Sequence, residues 1–326
     1  MRMHARNIPT LAAGVIMLGI LAFGALRYDY FGSAGNLSNL VTDYGYVMAA
    51  AAGGTLVILL GGIDLSVGAV AAFSGVVLAS LVARGWHPLA AAAACLGAGA
   101  GLGAAMGLLI ELFELPAFMV TLAGMFAVRA AAFMILDSST PVRHEFFGWL
   151  SDHRLQLGDA SVSWAGVIGL LVVAAAPLLT RCTTLGRRVY AIGGAERSAR
   201  MMGVPVARTR ITVYTIAGLC SSLAGCGLAI DRRTGDPTAC TGLELTVIAA
   251  VVIGGTLLSG GVGSMLGTLV GVLIIGLIRM VIDFQGTLNA AWTSVATGVL
   301  LLVFIVLQKL VSALSLRARP RYRGGS

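Results

Sequence analysis

Apolar runs with few or no charges follow one another along almost the whole chain. The stretch from Gly45 to Leu60 reads GYVMAAAAGGTLVILL and holds no charge. Similar runs lie near 8–26, 67–83, 88–110, 116–135, 163–180, 211–230, 245–259, 264–282 and 291–311. A bilayer core about 30 Å thick is crossed by roughly 20 apolar residues in a helix. With only 11% charged residues among 326, the chain cannot cover a soluble globule, where about 25% is ordinary. The expected fold is therefore an all-α polytopic membrane protein, one transmembrane domain over 1–326. About ten helices are expected, or eight if glycine breaks merge neighbouring runs.

The net charge of +8 would suggest nucleic acid in a soluble protein. Here the cytoplasmic bias of Arg and Lys explains it, and no nucleic-acid partner is expected. With ten spans and the N-terminus inside, fourteen of the 22 basic residues fall on inner segments. They cluster in MRMHAR, in the 181–209 loop and in the C-terminal tail, so both termini are expected in the cytoplasm. Ile8–Leu26 reads as a retained first span, since it is longer than a usual signal-peptide core and no A-x-A site follows. Trp86, Trp149, Trp164 and Trp292 then fall near the outer face, where indoles favour the interface.

Against this apolar background the segment GGIDLSVGAV at 61–70 stands out. A charged Asp at the centre of a membrane helix costs about 2.5–3.5 kcal/mol on insertion scales. Gly61 and Gly62 can end one span, after which Asp64 or Ser66 can accept hydrogen bonds from the free N–H groups of the next helix. The same form, GGxxxxxG, recurs as GGVGSMLG at 260–267, and GGTL occurs at both 53–56 and 254–257. Weak repeats with glycine-interrupted helices at matching positions are common in transporters, and the echo suggests two loosely related halves around a central path. Many of the 44 glycines, Gly97, Gly99, Gly101, Gly103 and Gly107 among them, are expected to serve close helix packing.

The longest inner loop has internal order. A Gly-Gly turn is expected at 193–194, then a short helix from Glu196 to Met202, closed by Gly203. That helix would offer Met201 and Met202 to a partner while Arg197 and Arg200 stay solvated. Cys95, Cys182, Cys220, Cys226 and Cys240 have no metal-site spacing, and His4, His87, His144 and His153 are scattered, so no metal or cofactor is expected.

Four segments together resemble the permease subunits of bacterial ABC sugar importers of the ribose/arabinose/xylose type: GGIDLSVGAV; LPAFMVTLAGMFAVRA at 115–130; GRRVYAIGGAERSARMMGV at 186–204; and ELTVIAAVVIGGTLLSGGVGSMLGTLVGVLIIGLI at 244–278. The segments VVIGGTLLSGGVG and FQGTLNAAWTSVATGVLLLVFIVLQ are most similar to the galactofuranose importer's permease. The resemblance implies a multi-pass bacterial inner-membrane subunit, an ABC ATP-binding partner, a second and different permease chain, and a periplasmic sugar-binding protein. It implies pathway candidates at Gly61, Gly62, Asp64, Ser66, Arg129, Glu244, Gly260 and Gly261. It implies an ATPase-coupling loop containing Gly193, Gly194, Glu196, Arg197, Arg200, Met201, Met202 and Gly203. The family usually has Asn where this chain has Ala195, and Asp where it has Thr246.

The only lysine is Lys309, after Gln308, so no G-x-x-x-x-G-K-[ST] phosphate loop exists and ATP hydrolysis is expected on a separate polypeptide. No catalytic set is evident in the spans, and the chain itself is not expected to be an enzyme. The rival reading is an ion-coupled secondary sugar carrier, with Asp64 and Arg129 as its relay.

Overall fold

The computed structural model describes the backbone of residues 2–287 and 291–317, and the side chains of 10–287 and 291–306. The basic tail from 318 onward and the side chains of Arg2, Arg6 and Lys309 lie outside what is described. In chain order the elements are α1 Arg2–Arg27, α2 Ala34–Leu59, α3 Val67–Ala83, α4 Pro88–Leu112, α5 Ala117–Ile135, β1 Thr140–Pro141, α6 Glu145–Asp152, β2 Leu155–Leu157 and β3 Ala160–Val162. There follow α7 Trp164–Cys182, α8 Thr184–Gly194, α9 Glu196–Met201, α10 Val206–Asp231, β4 Thr234–Gly235, α11 Leu243–Ile253, α12 Met265–Gln285 and α13 Ala291–Arg317.

Among the described residues the architecture is all-α, with strands only in two small antiparallel pairs, β1 with β4 and β2 with β3. Among the same residues six helices are long and apolar enough to cross a membrane: Thr10–Arg27, Pro88–Leu112, Ala117–Ile135, Trp164–Cys182, Val206–Asp231 and Met265–Gln285. Three more are apolar and shorter, Val67–Ala83, Leu243–Ile253 and Ala291–Val306. Large apolar side chains on the outside, such as Leu109, Phe118, Phe126, Leu171 and Leu178, suit a surface whose solvent is lipid.

α2 lies at the centre. From Val47 to Leu59 every residue is buried, because α7, α10, α11 and α12 all pack on it. A helix apolar all round belongs in such a core. It begins at Ala34, well before the apolar run that starts at Gly45. Ser33 caps it by accepting from the Asn36 N–H at 3.3 Å, and the polar first turns were invisible to an apolar scan.

The α4 glycines divide into two sets. Gly99, Gly103 and Gly107, four residues apart, meet α10, where an added Cβ would strike Gly218 O, Tyr214 O and Ile211 Cα. Gly97 and Gly101 face open space. The close face is thus a spacing-of-four stripe, as small-xxx-small packing requires, and not the whole glycine run.

The apolar run at 245–259 also differs from the expected span. α11 stops at Ile253, and residues 254–264 are irregular. Gly255, Gly260 and Gly261 there have φ of 93°, 82° and 72°, a left-handed region that glycine alone enters without strain.

Candidate functional site

Two helix breaks and the end of a short helix converge on one point. At the first break, α2 closes with the Gly61 N–H donating to Ile58 O and the Gly62 N–H to Val57 O, both at 2.9 Å. Gly61, at φ 90°, is the left-handed residue that commonly ends a helix. Asp64 follows, 8% exposed. Its Oδ1 accepts from the Ser66 N–H at 2.8 Å and from the Ser66 hydroxyl at 2.6 Å. The carboxylate therefore forms the turn that launches α3, while Ser66 makes no cap bond of its own. Thr121, on α5, has Ile63 O 3.1 Å from its hydroxyl and Ala117 O of its own helix at 2.9 Å, so its one proton is shared between the break and α5.

The second break is held by backbone. The Leu257 N–H donates to Val262 O at 2.9 Å and the Gly260 N–H to Leu257 O at 3.0 Å. The Gly261 N–H donates to Leu59 O at 2.9 Å, which joins the second break to the end of α2. Tyr190, on α8, donates its hydroxyl to Gly263 O at 3.0 Å.

α8 completes the junction. A Cβ added at Gly193 would run into Leu59 O and Gly261 N. Its neighbour Gly194 has nothing within 4 Å of such an atom. Gly193 and Gly194 are the last residues of α8 and not the turn expected from the sequence. The chain turns at Ala195 instead, because Gly193 is needed as a flat helical surface against two backbones.

α9 then leads away from the junction. Arg197, Met201 and Met202 are exposed. Gly203, at φ 79°, closes the helix through its N–H to Arg200 O at 3.1 Å. Glu196 and Arg200 belong to an ion network at the surface, and Arg200 stays solvated as expected, with its side chain 58% exposed. Arg210, at the start of α10, bridges Glu111 of α4 and Glu196, the latter at 2.8 Å. Arg200 reaches Glu196 at 3.1 Å. Partial burial pushes the Glu196 carboxyl up, but Arg210 and then Arg200 outweigh it and hold the group below its ordinary value.

Beneath this network lies a cavity of about 500 Å3, lined among others by Gly61, Gly62, Glu111, Glu114, Arg210 and Tyr214. Tyr214 is 1% exposed, and its hydroxyl has no hydrogen-bond partner among the described residues. On the other side of the junction, a second cavity of about 590 Å3 is lined by Arg181, Arg187, Tyr190, Gly261 and Ser264.

Of the expected pathway residues, Gly61, Gly62, Gly260 and Gly261 meet at the junction, with Asp64 and Ser66 just behind. Arg129 is elsewhere: it donates to Pro237 O at 2.8 Å and Ala239 O at 2.7 Å, tying α5 to the segment before α11. Glu244 sits in the first turn of α11 and accepts from the Gly242 N–H at 3.2 Å, beside Gly68 of α3. Sequence reasoning missed Glu111, Arg210, Tyr214 and Thr121. A usable signal existed for Glu111 and Tyr214, polar groups at the ends of or within apolar runs. Among the described residues, no group of His, Cys, Asp and Glu could hold a metal ion.

Residues 36–305 match the family of branched-chain amino acid transport system / permease component proteins. The chain belongs to this permease family. It is 43% identical to the inner membrane ABC transporter permease protein YjfF of Escherichia coli K12, over 94% of this chain and 93% of the relative. It is 35% identical to the fructose import permease protein FruG of Bifidobacterium longum, over 96% and 94%. It is 37% identical to the ribose import permease protein RbsC of E. coli K12, over 90% and 91%. No solved structure matches. The permease is a multi-pass inner-membrane subunit and not itself catalytic; ATP hydrolysis lies on a separate subunit.

Proposed function

We propose that this permease lines the translocation path of an ATP-driven importer for a monosaccharide, delivered by a periplasmic binding protein. A second, different permease chain completes the path, and an ABC ATP-binding subunit docks on the 181–209 loop from the cytoplasm, where both termini also lie. Relatives named as ribose and fructose import permeases support the sugar class. The resemblance of VVIGGTLLSGGVG and FQGTLNAAWTSVATGVLLLVFIVLQ to the galactofuranose permease makes galactofuranose the first sugar to test.

The observation that carries the reading is the junction at Gly193. One helix end touches both membrane breaks through backbone atoms, so a displacement of α8 and α9 moves Leu59 and Gly261 together. Close-packed contacts transmit such shifts because they do not deform continuously. The exposed Met201, Met202 and Arg197 on α9 provide the grip for the ATP-binding subunit.

Proteoliposomes carrying the permease with all partner subunits test this. Uptake should require internal ATP and persist in the presence of a proton ionophore. Uptake by this chain alone on an ion gradient would establish the carrier instead. A cysteine at Ser198, in a background without native cysteines, should resist an impermeant thiol reagent in intact cells and react after permeabilisation. Labelling in sealed cells would overturn the docking of the ATP-binding subunit.

A further inference from the structure

The Tyr214 hydroxyl is an anomaly. The residue is buried within α10 at 1% exposure, and the hydroxyl hydrogen-bonds to nothing among the described residues. Buried polar groups are nearly always satisfied, and leaving one unpaired lowers stability. A phenylalanine would fill the same space without that cost. Tyr214 lines the 500 Å3 cavity, and its hydroxyl is shut off behind the first break, where a Cβ at Gly62 would come to 2.5 Å from it. Asp64, just behind, is within electrostatic reach of the phenol. The rest of the cavity wall carries Glu111, Glu114, Glu196, Arg200 and Arg210. Carboxylates and guanidinium groups around a phenol can accept from and donate to the many hydroxyls of a sugar. The volume exceeds that of one monosaccharide, so the sugar can enter with some of its water.

We propose that this cavity is an inner sugar-contact site of the path, and that the Tyr214 hydroxyl hydrogen-bonds to a hydroxyl of the passing sugar. The proposal rests on the importer reading above. It assigns the unpaired group its partner: the transported molecule supplies the bond that the closed break leaves empty. Gly62 is without a side chain because one would occupy the place of that contact. Glu111 and Arg210 are already paired with each other, so they orient the cavity, and the phenol is the group free to discriminate.

The test uses the full complex in proteoliposomes, with radiolabelled D-galactose, which supplies its furanose form by mutarotation, D-ribose and D-fructose as probes. It then uses the monodeoxy analogues of whichever sugar the wild type takes up. Tyr214→Phe should leave the thermal midpoint unchanged or raised. Uptake at sub-saturating sugar should fall about threefold to tenfold, the size of one neutral hydrogen bond. For one deoxy analogue, the one lacking the contacted hydroxyl, Tyr214→Phe should cost nothing further. Unchanged uptake kinetics would overturn the proposal. So would an equal loss for every analogue, or a lowered midpoint, since each means that the hydroxyl's partner is in the protein. A wild-type complex that imports none of the probes under ATP would remove the importer reading itself, and this proposal with it; that outcome is seen before any variant is measured.

Discussion

The two breaks share a glycine pair and are built by opposite means. The first, after α2, is held by side chains: Asp64 accepts two hydrogen bonds from Ser66, and Thr121 reaches in from α5. The second, after α11, is held by backbone, with Gly255, Gly260 and Gly261 all at positive φ and the Gly261 N–H bound to Leu59 O. The difference follows from their neighbours. The first break opens on a polar cavity, where a carboxylate can be kept company. The second is pressed against Gly193 and Gly194 of α8 at Gly260 and Gly261, which leave no room for a side chain there, and it meets its own cavity only beyond that contact. One break should therefore be sensitive to charge and polarity, the other to volume.

The largest effect should come from volume at the crowded contact. Gly193→Val puts a branched side chain into Leu59 O and Gly261 N. Overpacking of this kind costs about 3 kcal/mol at the upper end of its usual range. The amount of assembled complex recovered from membranes should fall severalfold. Gly194→Ala, one residue on and facing open space, should stay within about 0.5 kcal/mol of wild type. Equal tolerance at the two positions would break the comparison, because it would mean that α8 is not seated on the breaks.

Next comes polarity at the first break. Asp64→Leu leaves the Ser66 N–H and hydroxyl without their acceptor, a loss of about 1–3 kcal/mol for buried groups. Asp64→Asn keeps an acceptor oxygen and should retain assembly and most transport. Thermal unfolding of the purified complex orders the three proteins. If Asn abolishes transport while assembly is normal, the negative charge is needed in the cycle and the structural account of Asp64 fails.

The side-chain bonds that reach the second break include those from Tyr190 to Gly263 O and from Thr10 to Gly254 O. Tyr190→Phe should lower stability by about 0.5–1.5 kcal/mol, the worth of a single neutral hydrogen bond. That is less than Asp64→Leu, and the same unfolding assay resolves the order. A larger loss than at Asp64 would show that the second break, too, depends on side chains.

Much of this was legible in the sequence, and the rest was hidden for physical reasons. Long apolar runs marked α4, α5, α7, α10 and α12 because lipid imposes composition on whole helices. The pairs at Gly61 and Gly260 marked the breaks because positive φ leaves few alternatives to glycine. Gly193 was noticed and misread: a helix residue chosen for close approach looks, in sequence, like a turn residue. Glu111 and Arg210 were missed because they pair across 99 residues, and nothing local in either segment announces the partner. Arg129 was a relay only in the rival carrier reading, where a membrane arginine needs company. Its company turned out to be the carbonyls of Pro237 and Ala239, groups that every residue carries and that no motif reveals.

The smallest predicted effect concerns pH at the network beside the first break. Arg210 and Arg200 hold the Glu196 carboxyl below its ordinary value of 4.5, against the opposing pull of burial. A carboxyl depressed in the folded protein contributes stability above its unfolded value. That contribution is lost as pH falls through the folded value. Glu196 is 43% exposed, so water screens the pairs and the contribution is about 0.2–1 kcal/mol. Glu196→Gln should thus unfold at a slightly lower temperature than wild type at pH 7. The gap should close as pH drops below the ordinary carboxylate range, where the wild-type side chain is itself neutral. Added salt should narrow the gap at pH 7, because exposed charges are screened over about 10 Å at 0.1 M. The same titration on Glu196→Gln combined with Tyr190→Phe separates the two breaks. The Tyr190 loss, between neutral groups, should remain constant while the Glu196 loss vanishes. A Tyr190 loss that tracks pH in step with Glu196 would mean that α8 and α9 respond as one body, and that charge at the first break is felt by backbone at the second.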